Sequence, residues 1–164
     1  MRRSSIAFGI ILGFAMISLA QAEPKPFPDL VPAKLKVYVG GFIGSRLYVE
    51  LDNGDVHVRQ YEDNSLKKVF TVRPTLEAWT KFVEEINRAN LYKWATDYPN
   101  KGVYDGTQWS VELEFDGRKF KSKGDNNYPT AGAEAQPTNK PYPQGKPFET
   151  YCAAVSHLIG EDFN

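Results

Sequence analysis

Two dipeptides that favour tight β-turns constrain the fold of this chain more than any other feature. Asn53-Gly54 and Asp116-Gly117 each separate two stretches in which apolar and polar residues alternate. Such a dipeptide between alternating stretches indicates a β-hairpin with a two-residue turn. Because neighbouring side chains on a strand point to opposite faces, the position of the turn also fixes which residues face each other. Each turn therefore predicts the register of a complete hairpin.

The predicted registers give each hairpin one apolar face and one polar face. The first places Val49 opposite Val58 and Tyr48 opposite Arg59. The second pairs glutamates with lysines, which stabilises antiparallel strands. The remaining predicted pairs are Leu51 with Val56, Glu50 with His57, Arg46 with Tyr61, Asp52 with Asp55, Val111 with Ser122, Leu113 with Phe120, Glu112 with Lys121, Glu114 with Lys119 and Trp109 with Gly124.

Two further alternating stretches and two helical stretches complete the predicted domain. Residues 34–39 and 67–72 alternate as half-buried strands do. Residues 75–89 carry apolar side chains at helical spacing, and a second helix begins near Pro147 and ends at Gly160. We therefore expect an α+β fold, an antiparallel β-meander of about six strands with two amphipathic helices packed on one face. The alternative is a partly closed, barrel-like sheet.

The first 22 residues have the pattern of a secretory signal peptide. Two arginines precede an apolar run, and Ala20-Gln21-Ala22 is a small-residue cleavage site. The run is shorter than the roughly 18–20 residues that span a bilayer, so we expect no membrane insertion after cleavage. The predicted location is periplasmic or secreted. The expected organisation is a signal peptide at 1–22, a Pro-rich extended lead-in at 23–33, and a single α+β domain at 34–164 with a mobile loop at 130–146.

Composition and motifs argue against several classes of function. The 20 basic and 20 acidic residues balance, so no nucleic-acid partner is expected. His57 and His157 lie on different predicted elements without metal-ligand spacing, and no catalytic motif is present, so we assign no metal, no cofactor and no catalytic residue. Cys152 is the one cysteine and lies on the apolar stripe of the last helix. It cannot form an internal disulfide, and we expect a small buried residue there.

Polar and aromatic residues converge at the open end of the second predicted hairpin. The register that places Trp109 opposite Gly124 brings the residues before one strand close to those after the other. Polar groups beside aromatic rings suit a sugar, a peptide or a loop of a partner protein. We call this set the rim. Its candidate binding residues are Asp105, Gln108, Trp109, Asp125, Asn126, Asn127 and Tyr128.

Three hypotheses for function follow from these patterns. The first is a non-enzymatic binding module of the envelope that binds another envelope protein, a peptide or a glycan through the rim. The second is a periplasmic hydrolase that uses Asp105 and Asp125 as paired carboxylates, as many glycosidases do. The third is an inhibitor or immunity-type protein that uses the outer sheet face, with Tyr48, Arg59 and Tyr61. A structural role for the rim residues in the core and the loops is the alternative to the first two.

One part of the chain resembles a group of small exported bacterial proteins. The resemblance is carried by two short motifs and the C-terminal helix that follows them. The motifs are Asp105-Gly106-x-x-Trp109 and Gly124-x-Asn126-x-Tyr128-Pro129. Residues 130–146 separate the second motif from the helix, whereas in the group the helix follows the proline closely. The resemblance implies an envelope or secreted setting and implies no activity.

Overall fold

The computed structural model describes residues 27–41, 44–100, 106–130 and 145–163. The expected signal peptide, the candidate Asp105 and residues 131–144 of the expected mobile loop lie outside these ranges. The part of the Pro-rich lead-in that is described differs from the expected extended segment. Phe27–Leu30 forms a short 3-10 helix directly before the first strand.

The first four strands form the antiparallel meander that the sequence predicts. The Asn53-Gly54 turn has positive φ angles of 51° and 83°, as a two-residue hairpin turn requires. Every predicted residue pair of this hairpin is observed, from Arg46 opposite Tyr61 to Asp52 opposite Asp55. The four strands are β1 (Lys34–Gly41), β2 (Ser45–Asp52), β3 (Asp55–Glu62) and β4 (Ser65–Val72).

The remaining strands join the free edge of β1 and do not continue the meander beyond β4. They are β5 (Asp97–Tyr98), β6 (Thr107–Phe115) and β7 (Arg118–Asp125). The described residues form one seven-stranded sheet in the order β4-β3-β2-β1-β6-β7-β5. The prediction of a simple six-stranded meander was therefore only partly right, since β5 adds a short strand parallel to β7. The sheet is open, so the barrel-like alternative is wrong.

The pairing of β1 with β6 has a clear physical basis in side-chain complementarity. On one face, Leu35 lies opposite Leu113 and Val37 lies opposite Val111. On the other face, lysines of β1 lie opposite glutamates of β6, namely Lys34 opposite Glu114 and Lys36 opposite Glu112. Apolar pairs on one face and opposite charges on the other stabilise this register over neighbouring ones.

The two helices are α1 (Leu76–Arg88) and α2 (Lys146–Ile159). Thr75 caps α1 by accepting a hydrogen bond from the backbone nitrogen of Ala78 at 3.2 Å. Gly160 ends α2 in the left-handed conformation, with a φ of 70°. The end of α2 at Gly160 is as predicted. Neither helix, nor any other helix in the described ranges, has the length and hydropathy needed to cross a membrane.

One hydrophobic core joins the apolar face of the sheet to both helices. It includes Val37 and Val111 from the sheet, Phe82 from α1 and Phe148 from α2. Cys152 lies in this core, as predicted, and burial raises the pKa of its thiol to about 12. The thiol is therefore protonated at neutral pH, and the residue acts as a small apolar side chain.

Candidate binding site

The aromatic residues of the predicted rim belong to the core. Trp109 and Tyr128 are each only 2% exposed, and their rings stack with centroids 6.5 Å apart. Phe148 of α2 packs against both rings, at 4.9 Å from Trp109 and 4.8 Å from Tyr128. The indole nitrogen of Trp109 donates a hydrogen bond to the carbonyl oxygen of Asn127 at 2.9 Å. These two rings therefore present almost no surface to a ligand.

The two asparagines of the rim are also buried, and they hold the ends of loops together. The side-chain oxygen of Asn126 accepts a hydrogen bond from the backbone nitrogen of Thr107 at 2.8 Å. The side-chain amide of Asn127 donates to the carbonyl oxygen of Pro99 at 3.1 Å, and its oxygen accepts from the nitrogen of Tyr128 at 3.1 Å. Such contacts between amide side chains and loop backbone are the structural alternative described above.

Two glycines in the motifs that define the rim are required by close contacts. A Cβ atom on Gly124 would lie 2.4 Å from the carbonyl oxygen of Asn127 and 2.4 Å from the indole nitrogen of Trp109. A Cβ atom on Gly106 would lie 2.0 Å from the side-chain oxygen of Asn126. Real Cβ atoms do not approach other atoms this closely, so only glycine fits either position without a shift of its neighbours.

Of the rim residues that the structure describes, two reach the surface. Gln108 is exposed, and Asp125 is half-buried and accepts a hydrogen bond from the side-chain amide of Asn126 at 3.1 Å. Both line a cavity of about 470 Å³ beside β5, β6 and β7. We call this cavity the rim cavity. Its lining also includes Tyr38, Asp97, Pro99, Asn100, Trp109, Ser110, Lys123 and Gly124.

The face of the sheet opposite the core carries a row of tyrosines in mutual contact. We call this face the outer face. The rings of Tyr38 and Tyr48 lie 4.7 Å apart, and those of Tyr48 and Tyr61 lie 5.7 Å apart in an edge-to-face arrangement. The Arg46 guanidinium lies 5.7 Å from the centre of the Tyr61 ring. Aromatic and cation–aromatic contacts of this kind hold the side chains in defined positions.

A second cavity, of about 230 Å³, lies beside this row of tyrosines and is lined by two cationic side chains. We call it the arginine cavity. It is formed by Arg46, Tyr48, Arg59, Tyr61 and Asn64. The adjacent edge strand β4 exposes two aliphatic side chains, Leu66 (54% exposed) and Val69 (59% exposed). Tyr61 lies opposite Leu66 and Arg59 lies opposite Val69, so all four residues are on the outer face.

The outer face also carries several paired charges. Glu50 contacts Lys36 at 2.5 Å, and Glu112 accepts hydrogen bonds from both Lys121 (2.7 Å) and Lys34. The hydrogen bonds from Lys121 and Lys34 lower the pKa of the Glu112 carboxyl to about 2, from an ordinary value of 4.5. These carboxylates therefore have cationic partners within the protein.

We expect the Glu112 contacts to make stability depend on pH. The pKa of the Glu112 carboxyl is lower in the folded protein than in the unfolded chain. The stabilisation is therefore present above about pH 5 and is lost as the pH falls towards 2. Since these side chains are partly exposed, Glu112→Gln should lower the free energy of unfolding at pH 7 by about 1 kcal/mol or less. Urea denaturation of both proteins from pH 7 to pH 2 should show the difference disappearing.

Glu114→Gln is the matched control for this measurement. Its ion pair with Lys119 is longer, at 3.5 Å, and the lysine side chain is 80% exposed. We expect a smaller and less pH-dependent effect, because exposed ion pairs contribute little. A difference between Glu112→Gln and the wild type that persists at pH 2 would contradict the electrostatic explanation.

The sequence predicted the outer face incompletely. Alternation along β2 and β3 identified Tyr48, Arg59 and Tyr61, and these residues line or adjoin the arginine cavity. Tyr38 and the exposed Leu66 were missed. The alternation in residues 34–39 places Tyr38 on the polar side of its strand, but the pairing of that strand with β2, which brings Tyr38 beside Tyr48, was not predicted.

Together, the fold and these surfaces define the class of protein. It is an α+β protein with an open, mainly antiparallel sheet, one face of which packs on the core while the other carries half-buried tyrosines and two arginines. No protein-family model matches the chain, and no curated protein matches its sequence.

Proposed function

We propose that this protein is a non-enzymatic binding module of the cell envelope that binds a protein or peptide through its outer face. The observation that carries this proposal is the row of tyrosines beside Arg46 and Arg59, next to two exposed aliphatic residues. Tyrosine and arginine are enriched among the residues that dominate protein–protein binding energies. The signal-peptide pattern and the resemblance to exported bacterial proteins support an envelope setting.

This proposal moves the predicted site from the rim to the outer face. Ligand contact requires accessible side chains, and the aromatic residues of the rim are buried behind α2. The tyrosines of the outer face are already held by contacts with their neighbours, so little side-chain entropy is lost when a partner binds. The outer face, which is also the surface named in the third hypothesis, is therefore better suited to bind a protein partner than the rim.

Affinity capture with two matched variants tests the proposal. The exported chain is immobilised, and proteins captured from a bacterial envelope extract are identified by mass spectrometry. The outer-face variant, Tyr48→Ser with Tyr61→Ser, should weaken capture of a specific partner by at least about tenfold, which corresponds to about 1.4 kcal/mol. The rim variant, Gln108→Ala with Asp125→Ala, should retain it. Circular dichroism confirms that both variants are folded.

The opposite pattern would refute the proposed site. A partner retained by the outer-face variant and lost by the rim variant would place binding at the rim cavity. A partner retained equally by both variants would place binding elsewhere on the protein.

The rim cavity favours a second candidate function, the binding of a glycan. Tyr38 lies beside the polar side chains of Gln108, Asp97 and Asp125 in this cavity, and sugars bind by such combinations of an aromatic ring with hydrogen-bonding groups. A thermal-shift screen against envelope oligosaccharides would detect it. A shift that is seen with the wild type and lost in the rim variant would support this second function. The paired-carboxylate hypothesis depends on Asp105, which lies outside the described residues.

A further inference from the structure

We infer that the partner presents a carboxylate beside an apolar side chain, and that the arginine cavity binds the carboxylate. This inference rests on the proposed function and specifies the chemistry of its ligand. In the arrangement we propose, the carboxylate lies between Arg46 and Arg59, and the apolar side chain packs against Leu66 and Val69. The partner is therefore an acidic peptide segment.

The composition of the arginine cavity favours an anion. Among the residues that the structure describes, its lining includes two guanidinium groups and no acidic residue. Arg46 lies opposite Tyr61 while Tyr48 lies opposite Arg59, so the two arginines are diagonal neighbours on adjacent strands. Side chains this long meet across a diagonal, and two like charges in such positions repel each other. A carboxylate bound between them would replace this repulsion with attraction.

Both guanidinium groups retain hydrogen-bonding capacity for such a ligand. Among the described residues, one nitrogen of Arg46 donates to the side-chain oxygen of Asn64, and one nitrogen of Arg59 lies 3.5 Å from Glu50. A guanidinium has five N–H donors, and its strong bonds to carboxylates are about 2.7–2.9 Å long. The Arg59 contact is longer than that, and Glu50 also contacts Lys36 at 2.5 Å. Arg59 is therefore only weakly neutralised within the protein.

The neighbouring aliphatic residues specify the second part of the ligand. Leu66 and Val69 are more than half exposed and lie on β4, the edge strand next to the arginine cavity. Burial of exposed aliphatic side chains by a partner is favourable in proportion to the apolar surface that is buried. A segment with an acidic residue close to an apolar one would contact both features together. A purely acidic segment would leave the aliphatic residues exposed.

Selection from a peptide library tests this inference. The probe is a library of random dodecapeptides displayed on phage and selected on the immobilised wild-type chain. We expect the enriched peptides to contain Asp or Glu within two positions of a large apolar residue. The tightest peptide is then synthesised with its acidic residue and, separately, with the corresponding amide, and binding of both is measured by isothermal titration calorimetry.

Single and double substitutions separate the carboxylate contact from the rest of the surface. Arg46→Gln and Arg59→Gln should each weaken binding of the acidic peptide by about tenfold. Both variants should bind the amide peptide as tightly as the wild type does. Leu66→Ser with Val69→Ser should weaken binding of both peptides. Arg88→Gln, on α1 and on the opposite side of the sheet, is the matched control and should leave binding unchanged.

The outcomes distinguish failure of this inference from failure of the proposed function. If peptides are selected that lack acidic residues, or that bind the arginine variants as tightly as the wild type, the carboxylate inference is wrong. The proposed function still stands in that case if Tyr48→Ser with Tyr61→Ser abolishes their binding. If the tyrosine variant binds them normally, or if the wild type enriches no peptide, both proposals fail. A further outcome in sedimentation velocity is a dimer for the wild type and a monomer for Leu66→Ser with Val69→Ser. That result would show that this surface binds a second copy of the chain and not a peptide.

Discussion

Replacing Gly124 with alanine is expected to lower the free energy of unfolding by about 3 kcal/mol, through overpacking and loss of a buried hydrogen bond. The added Cβ would lie 2.4 Å from both the carbonyl oxygen of Asn127 and the indole nitrogen of Trp109. These two atoms are joined by a hydrogen bond of 2.9 Å. The methyl group can be accommodated only if they move apart, so the same change introduces strain and breaks the bond. Urea denaturation, followed by tryptophan fluorescence, measures the loss.

Gly117→Ala is the control that measures the effect of backbone conformation without steric overlap. Gly117 has a φ of +69°, and a Cβ there would have no heavy atom within 4 Å. Alanine at that position should cost about 1 kcal/mol, from its left-handed backbone conformation alone. If Gly124→Ala lowers the free energy of unfolding by no more than Gly117→Ala does, then Trp109 and Asn127 do not approach this strand as closely as described.

The local parts of the fold were predictable because turn chemistry determines register. Asn53-Gly54 and Asp116-Gly117 adopt positive φ angles, and the pairs predicted from each turn are observed. The position of the second hairpin beside β1 was not predictable in the same way. No turn connects β1 to β6, and their complementarity is recognised only when both strands are compared across a long separation in sequence.

The convergence of residues at the rim was predictable, but their burial was not. The register placed Trp109 opposite Gly124, as observed. Whether the indole lies in solvent or in the core depends on Phe148, which packs against it from α2. The register of a hairpin does not determine where a helix packs when that helix begins about twenty residues later in the chain. From the sequence, polar residues beside an aromatic ring therefore predict a surface, whereas in the structure the two asparagines donate to and accept from loop backbone.

The position of Leu66 on the outer face depends on an irregularity that alternation does not reveal. Between Gln60 and Tyr61 of β3, the pairing with β4 shifts by one residue, which makes Lys67 the extra residue of a β-bulge. Without this bulge Tyr61 would lie opposite Lys67, and Leu66 would point to the other face. Val69 is opposite Arg59, before the shift, so the bulge brings Leu66 to the face on which Val69 and Tyr61 lie. The ligand chemistry that we infer depends on this local change of register.

Replacing Phe148 with alanine is expected to lower the free energy of unfolding by about 4 kcal/mol, within the range for large buried aromatic residues. Phe148 is 1% exposed and belongs to the first turn of α2. Its ring contacts four other aromatic rings of the core, those of Trp94, Trp109, Tyr128 and Tyr151. Truncation would leave a cavity between α2 and the second hairpin, and packed aromatic rings cannot collapse to fill it. Denaturation in guanidinium chloride measures the loss.

Phe148→Leu separates the effect of the cavity from that of the aromatic contacts. Leucine fills more of the space, so this variant should lose about 1.5 kcal/mol, and both variants should unfold with the m-value of the wild type. The indole of Trp109 should also become more accessible to acrylamide in Phe148→Ala than in Phe148→Leu, because Phe148 covers it. If Phe148→Ala costs less than about 1.5 kcal/mol, the first turn of α2 does not pack on the hairpin in solution. Trp109 and Tyr128 would then be accessible, and the rim would again be the better candidate site.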